Sequence, residues 1–443
     1  MSSLFQLLAA GIFLAAITLH LVRRPIILLY LLLIVQFLVA GRLMPELSTR
    51  VVGVAIGPVD VINMMLLAAA ILRMTRGPTG LQWALLGAIG LVIYGTFTGF
   101  LRLGDAAMLG FRAELYFLVP ALFVSTISVH SLAKVVRAIL WFGVGLAVLA
   151  VFRWIGLVPS LEAQFAHGYL IERVIPSYAA LWVALAALGA IYSVFGTRRQ
   201  QFVAYPWIVA ALCLTVVLFT QHRSVWVASA IMLAMVFVIT QQRTFLKVAV
   251  VLAAGISVAL IELLGLGHGG TAAESLAYAM SNVGTWEWRI ERWGNVWETH
   301  AARGWTAILL GSGYGYGWVT GIVGEWEYSP HNGFLQIAVR IGLVGAFLVF
   351  LPYYLALRKL VFSRDSTNRL LWLWTIAIVV YFIPYASDML TGVILGMTIA
   401  ALSAVRAEMQ THIESRFTAA PLSRFPRLRR LSAMIATPRR RLH

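Results

Sequence analysis

Histidine and arginine at four positions are the residues of this chain best suited to chemistry. His331-Asn332 is followed by nine residues and then Gly342-Leu343-Val344-Gly345. An imidazole that titrates near neutrality can take and return protons at physiological pH. On a helix starting at His331, positions 335, 338, 342 and 345 share roughly one face. Glycines there would let a neighbouring helix approach closely. His331 would then stand at a helix entrance above a tight contact; a lone histidine so placed can also be a cap or a surface residue. Arg340 points to the opposite face. Arg223 lies in Gln221-His222-Arg223-Ser224, and Arg289 and Arg292 sit three apart further on. A guanidinium offers planar, paired donors to an oxyanion and does so at any ordinary pH. Two other patterns lead nowhere. Glu325 with Glu327, or Glu287 with Glu291, could hold a divalent cation, but no Asp-x-Asp cluster accompanies them, and solvated acids or partners of Arg289 account for them. No metal and no cofactor are expected. Gly311–Gly317, GSGYGYG, resembles a nucleotide loop but follows no Rossmann strand.

The elements that must position these groups are membrane helices. The chain of 443 residues is 61% hydrophobic and 12% charged, against about 25% charged in globular domains. Its mean hydropathy is +0.87. Apolar runs of a length that crosses a hydrocarbon core of about 30 Å recur along nearly the whole chain. They fall at 4–22, 25–41, 51–72, 81–101, 111–130, 136–157, 175–196, 203–220, 224–240, 246–264, 333–357, 369–386 and 388–405. The fold class is therefore all-α, a polytopic bundle of 12 or 13 helices. Arg23-Arg24 joins the first two runs as either a hairpin or a break. The organisation reads as helices over 1–264, a large loop over 265–332, helices over 333–405 and a basic tail over 406–443.

The net charge of +17 is a topology signal. Alternate connections, with the nine arginines of the tail, hold 23 of the 34 basic residues. The positive-inside rule makes that side cytoplasmic, with the C-terminus on it, and turns the N-terminus and the 265–332 loop outward. Nucleic acid is not an expected partner; anionic lipid headgroups are, for the tail. The single cysteine, Cys213, lies in an apolar run and allows no disulfide within the chain. MSSLFQ has no basic n-region, so the first helix reads as retained.

Within the loop, residues 285–303 have helical periodicity. Trp286, Ile290, Trp293 and Trp297 form one apolar face, flanked by Arg289 and Arg292 and followed by Gly304 as a stop. A tryptophan face suits a helix lying at the headgroup level. Asp60, Arg112, Glu114, Arg153, Glu262, Arg340 and Asp388 all fall in the outward half of the bundle, and Arg223 in a short outward turn. Such groups either line a polar cavity or pair internally, for instance Arg112 with Glu114 or Asp60.

The stretch His331-Asn332-x9-Gly342-x2-Gly345 resembles the histidine motif of the O-antigen ligase and exopolysaccharide polymerase family. Arg289, Arg292, the tryptophans and Gly311–Gly315 resemble the region before that histidine. Gln221-His222-Arg223-Ser224-x-Trp226 resembles the family's short Arg-Ser turn. The similarity covers residues 205–345; the first 200 agree only in hydropathy. The resemblance implies a multi-pass enzyme of the bacterial inner membrane with its site facing the periplasm. It would transfer a glycan from a polyprenyl (undecaprenyl) pyrophosphate donor to a sugar hydroxyl without a metal. The acceptor would be the lipid A core for a ligase or another lipid-linked repeat for a polymerase, with other polysaccharide-assembly proteins as possible partners. Arg223, Arg289 and Arg292 would bind the pyrophosphate and His331 would be the catalytic base. Asn332 would orient substrate or cap the helix, with Gly342 and Gly345 in support. The rival function is a transporter or flippase of a lipid-linked glycan, which should carry its polar groups near the bilayer midplane.

Overall fold

The computed structural model describes the chain outside residues 1–15, 42, 44–48, 52–53, 76, 105–106, 108–109, 160–161, 167–168, 196–201, 221, 241–283, 318–329, 364 and 420–443. The expected span at 246–264, Glu262, Gln221, Glu325, Glu327 and the end of the tail lie outside the described residues.

The chain is a bundle of helices with two short antiparallel hairpins in its connections. A first helix, α1 (Ala16–Val22), meets α2 (Pro25–Ala40) at a bend of 116° across Arg23-Arg24, so that junction is a break. The hairpin β1–β2 (Thr49–Val51, Val54–Ile56) precedes α3 (Pro58–Met74), and α4 (Gly80–Leu103), α5 (Phe111–Ser125) and α6 (Val129–Trp154) follow. After the hairpin β3–β4 (Glu162–Ala166, Tyr169–Arg173) come α7 (Ser177–Phe195), α8 (Pro206–Phe219) and α9 (Arg223–Thr240). Two loop helices, α10 (Gly284–Ala301) and α11 (Trp305–Leu310), lead to α12 (Gly333–Lys359), α13 (Ser366–Tyr381) and α14 (Met389–Ala419). Among the described residues six helices are long and apolar enough to cross a membrane unaided, or seven if the bent pair counts as one span. The protein is a multi-pass helical membrane protein. The apolar runs at 51–72, 111–130 and 136–157 give a hairpin plus α3, then α5 and α6 divided near residue 127.

Sequence explains how the helices start and pack. Pro25, Pro58 and Pro206 open their helices, where a missing N–H costs nothing. Thr79 and Gln82 cap α4 reciprocally. Glycine lets α14 close on α5: a Cβ at Gly392 or Gly396 would strike the carbonyl of Phe117 or Ala121, so these small residues allow backbone contact. Helix α7 is buried along nearly its full length. Trp374 of α13 donates its indole N–H to the Leu185 carbonyl, 3.2 Å away.

Internal polar contacts mark the two ends of the bundle. At one end Arg73 donates to the Thr126 hydroxyl (3.0 Å) and to the carbonyls of Thr126 (2.9 Å) and Val22 (3.1 Å). At the other, Arg153 donates to the carbonyls of Pro159, Val174 and Gly41. That second end gathers the residues with chemistry.

Candidate functional site

Six helices, α3, α5, α7, α9, α12 and α14, begin at the second end. Tyr116 and Arg112 of α5 meet Asp60 of α3 at 2.5 and 3.6 Å. His222, before α9, donates from Nε2 to the carbonyl of Ile175, before α7, at 3.1 Å. Tyr381, ending α13, lies 3.4 Å from the Ser177 hydroxyl of α7. The Phe382 carbonyl accepts the Gly333 N–H at the start of α12, at 2.8 Å. The positive ends of helix dipoles thus accumulate at one face, which favours anions there.

His331 precedes α12 in left-handed backbone, φ 48°, and is exposed. That conformation costs a non-glycine residue roughly 1–3 kcal/mol. It is held from both sides. Asn332 is the helix cap, its side chain accepting the Leu335 N–H at 2.9 Å, which gives Asn332 the capping role of its two expected ones. Trp293 of α10 donates its indole N–H to the Pro330 carbonyl at 2.9 Å.

The loop helix turns its arginines two ways. The guanidinium of Arg289 lies over the Tyr385 ring, 5.5 Å from its centroid, and Tyr385 stacks on Tyr381 at 4.8 Å and 16°. The Nε of Arg289 is buried without a hydrogen-bond partner. Arg289 therefore shares the turn after α13 with the backbone that fixes His331. Arg292 stacks on Trp288 of its own helix at 4.0 Å. Arg223 occupies the first position of α9, beside the His222–Ile175 contact, at the same end of the bundle. The exposed tryptophans of α10 are Trp286, Trp288 and Trp297, whereas Val296 and His300 face inward.

The glycine segment is locked rather than flexible. Tyr314 is fully buried against Gly95, Gly99 and Gly110; a Cβ at Gly99 would strike its backbone carbonyl and one at Gly110 would crowd its ring. Arg340 donates to the carbonyls of Gly313 (3.3 Å) and Tyr316 (3.0 Å). Its neighbour on α12, Gln336, donates to Glu114 at 2.7 Å. The Ser312 N–H donates to the Val339 carbonyl at 2.9 Å. Gly342 breaks α12 with φ 72° and lies against the Leu309 carbonyl, so the tight contact beneath the histidine is with α11. Gly345 instead faces Ile341 of its own helix. His300, fully buried, pairs through Nδ1 with the Ser312 hydroxyl at 2.6 Å. Burial, with Arg303 nearby, pushes its pKa down to about 4. Glu114, Gln336, Tyr314 and His300 are structural partners that spacing alone did not connect.

A polytopic helical membrane protein with histidine and arginines gathered at one end of the bundle is the class that fold and site define. Residues 208–350 match a family model described as O-antigen ligase. The similarity over this stretch supports glycan transfer of the O-antigen ligase or polymerase type in general. A search of the curated proteins returned no match.

Proposed function

We propose that the protein transfers an oligosaccharide or polysaccharide from a polyprenyl pyrophosphate to a sugar hydroxyl at the periplasmic face of the inner membrane. The observation that carries this reading is the shared turn 382–385. Its carbonyl holds the start of α12 behind His331, and its Tyr385 lies under Arg289, whose Nε has no protein partner. A base and an oxyanion binder thus rest on one support.

The chemistry balances with these groups alone. The acceptor oxygen attacks the anomeric carbon and its proton passes to the His331 imidazole. The bond between sugar and phosphate breaks, and its electron pair leaves on the pyrophosphate. Arg223 of α9 and Arg289 of α10, with Arg292 one turn along α10, stabilise that growing charge with fixed donors. The polyprenyl chain stays in the bilayer.

Gene deletion followed by gel analysis of surface glycans tests the reading. Loss of polymer from lipid A with lipid-linked chains intact identifies a ligase; single repeats on lipid A identify a polymerase. Unchanged surface glycan and unchanged lipid-linked pools would refute it.

A further inference from the structure

A cleft of about 250 Å³ opens at the same end of the bundle, between the last turns of α2 and the first turns of α3, α5, α7 and α14. None of its walls takes part in the steps above. Gln36, Tyr116, Tyr178, Ser387 and Asp388 supply polar groups, and Val39, Val59 and Met389 supply aliphatic surface. Ser387 is 7% exposed, and its hydroxyl has no hydrogen-bond partner. One carboxylate oxygen of Asp388 accepts the Thr391 N–H at 2.6 Å, and the carboxylate also has the Trp182 indole N–H beside it. Buried polar atoms are nearly always satisfied, so the Ser387 hydroxyl, left without a partner on the wall of an open cleft, asks for a ligand.

The lining fixes the ligand's chemistry. Among the described residues no lysine or arginine borders the cleft, and the nearby Arg112 faces Asp60. A phosphate would meet a carboxylate and no cation. A neutral ring bearing hydroxyls fits instead: hydroxyls for Asp388, Ser387 and Gln36, and a C–H face for the aliphatic side. Pockets for drug-sized ligands hold about 300–1,000 Å³, so this one has room for a single ring. It is also close to the proposed reaction centre. Ser387 is five positions on from Phe382, which holds Gly333, a span of at most roughly 18 Å of extended chain.

We infer that this cleft binds one uncharged sugar ring of the acceptor glycan through Gln36, Ser387 and Asp388. The assignment of the ring to an acceptor rests on the transfer reading; the sugar chemistry of the cleft does not.

Photocrosslinking in cells tests it with the cell's own glycan as probe. Val39 borders the cleft and is 40% exposed, so Val39→p-benzoylphenylalanine places the reactive ketone at the mouth. Irradiation should give a sugar-bearing adduct at position 39, identified by mass spectrometry, and none at Phe97→p-benzoylphenylalanine on the exposed side of α4. Gln36→Leu and Ser387→Ala should each lower the yield about five-fold, the effect of one lost hydrogen bond. An acyl or isoprenoid adduct at 39, or no adduct, would overturn the inference. The two readings fail separately. A sugar adduct at 39 in cells whose surface glycan survives deletion of the gene's function in parallel strains keeps the cleft and removes the transfer. Glycan transfer without any sugar adduct removes the cleft alone.

Discussion

An imidazole in left-handed backbone, exposed beside a capped helix, is an arrangement held at a cost by the bonds to Pro330 and Asn332 on either side. Asn332 already caps α12, so His331 is not needed as the cap. On the proposed mechanism, His331→Ala leaves the protein inserted and folded, and transfer falls by roughly the 10²–10⁴-fold of general-base catalysis. Measured with purified protein and a lipid pyrophosphate donor, donor affinity should persist. His331→Gln separates roles: it keeps hydrogen bonding but cannot take a proton near neutrality, so it should be as slow as His331→Ala. Near-normal turnover in both variants would eliminate the histidine. Arg289 predicts the opposite split. Its orphaned Nε and its aromatic support leave donors for a ligand, and hydrogen bonds to charged groups are worth about 1.5–3 kcal/mol. Arg289→Ala should therefore weaken donor binding about 10- to 100-fold, read as donor affinity in detergent, with the protein's thermal stability little changed. Arg223→Ala should act in the same direction. Unaltered donor affinity in both would sink the pyrophosphate assignment.

One glycine and a buried histidine set where the loop helices stand. At Gly342 the backbone has φ 72° and a Cβ would run into the Leu309 carbonyl. Gly342→Ala should accordingly lose at least the roughly 1–3 kcal/mol of a strained left-handed residue, seen as a lower melting temperature and as faster proteolysis of the 284–310 segment. The same substitution at Gly90, which meets nothing within 4 Å, is the control and should be neutral or stabilising. His300 gives this region a pH dependence. Its pKa lies at about 4 in the fold and near 6.5 in an unfolded chain. The unfolded state thus binds the proton first, and the stability that comes from keeping His300 neutral is complete above pH 6.5. It declines as pH falls from about 6.5 to about 4. Hydrogen exchange over α10 and α11 should quicken across that window, and His300→Gln should flatten the response. A profile unchanged by His300→Gln would show that another group titrates. These contacts also explain what spacing could and could not reveal. The period of Trp286, Ile290, Trp293 and Trp297 located α10 to within two residues, because an amphipathic helix writes its period locally. The lock on GSGYGYG could not be read that way: Tyr314 is held by Gly95, Gly99, Gly110 and Arg340, which are remote in sequence and meet only after the helices pack.

Hydropathy marked most of the helices because each must cover its own length with apolar side chains, whatever its neighbours are. It blurred the hairpin before α3 and the division of α5 from α6, where apolar residues continue through a turn that packing makes, not composition. The gathering of Arg223, Arg289 and His331 at one end was legible for a similar reason, since alternate connections must lie on alternate sides. The pairing of that end with particular contacts, such as Phe382 to Gly333, was not. Which side of the membrane this end faces follows from charge alone, and it decides the function, because a lipid-linked glycan is used where it is exposed. The basic connections include Arg73, which at the opposite end is tied to Val22 and Thr126, along with Arg358 and Lys359 closing α12. Lys and Arg resist translocation, so the positive-inside rule predicts a cytoplasmic location for that end. Reporters fused within residues 198–201 and after Arg406 should read cytoplasmic, and one within 268–283 should read periplasmic. The helix starts then place a positive field at the outer surface, where a pyrophosphate headgroup would lie beneath α10. A cytoplasmic reading for 268–283 would turn Arg289 and His331 away from any periplasmic acceptor and would end the case for transfer at that face.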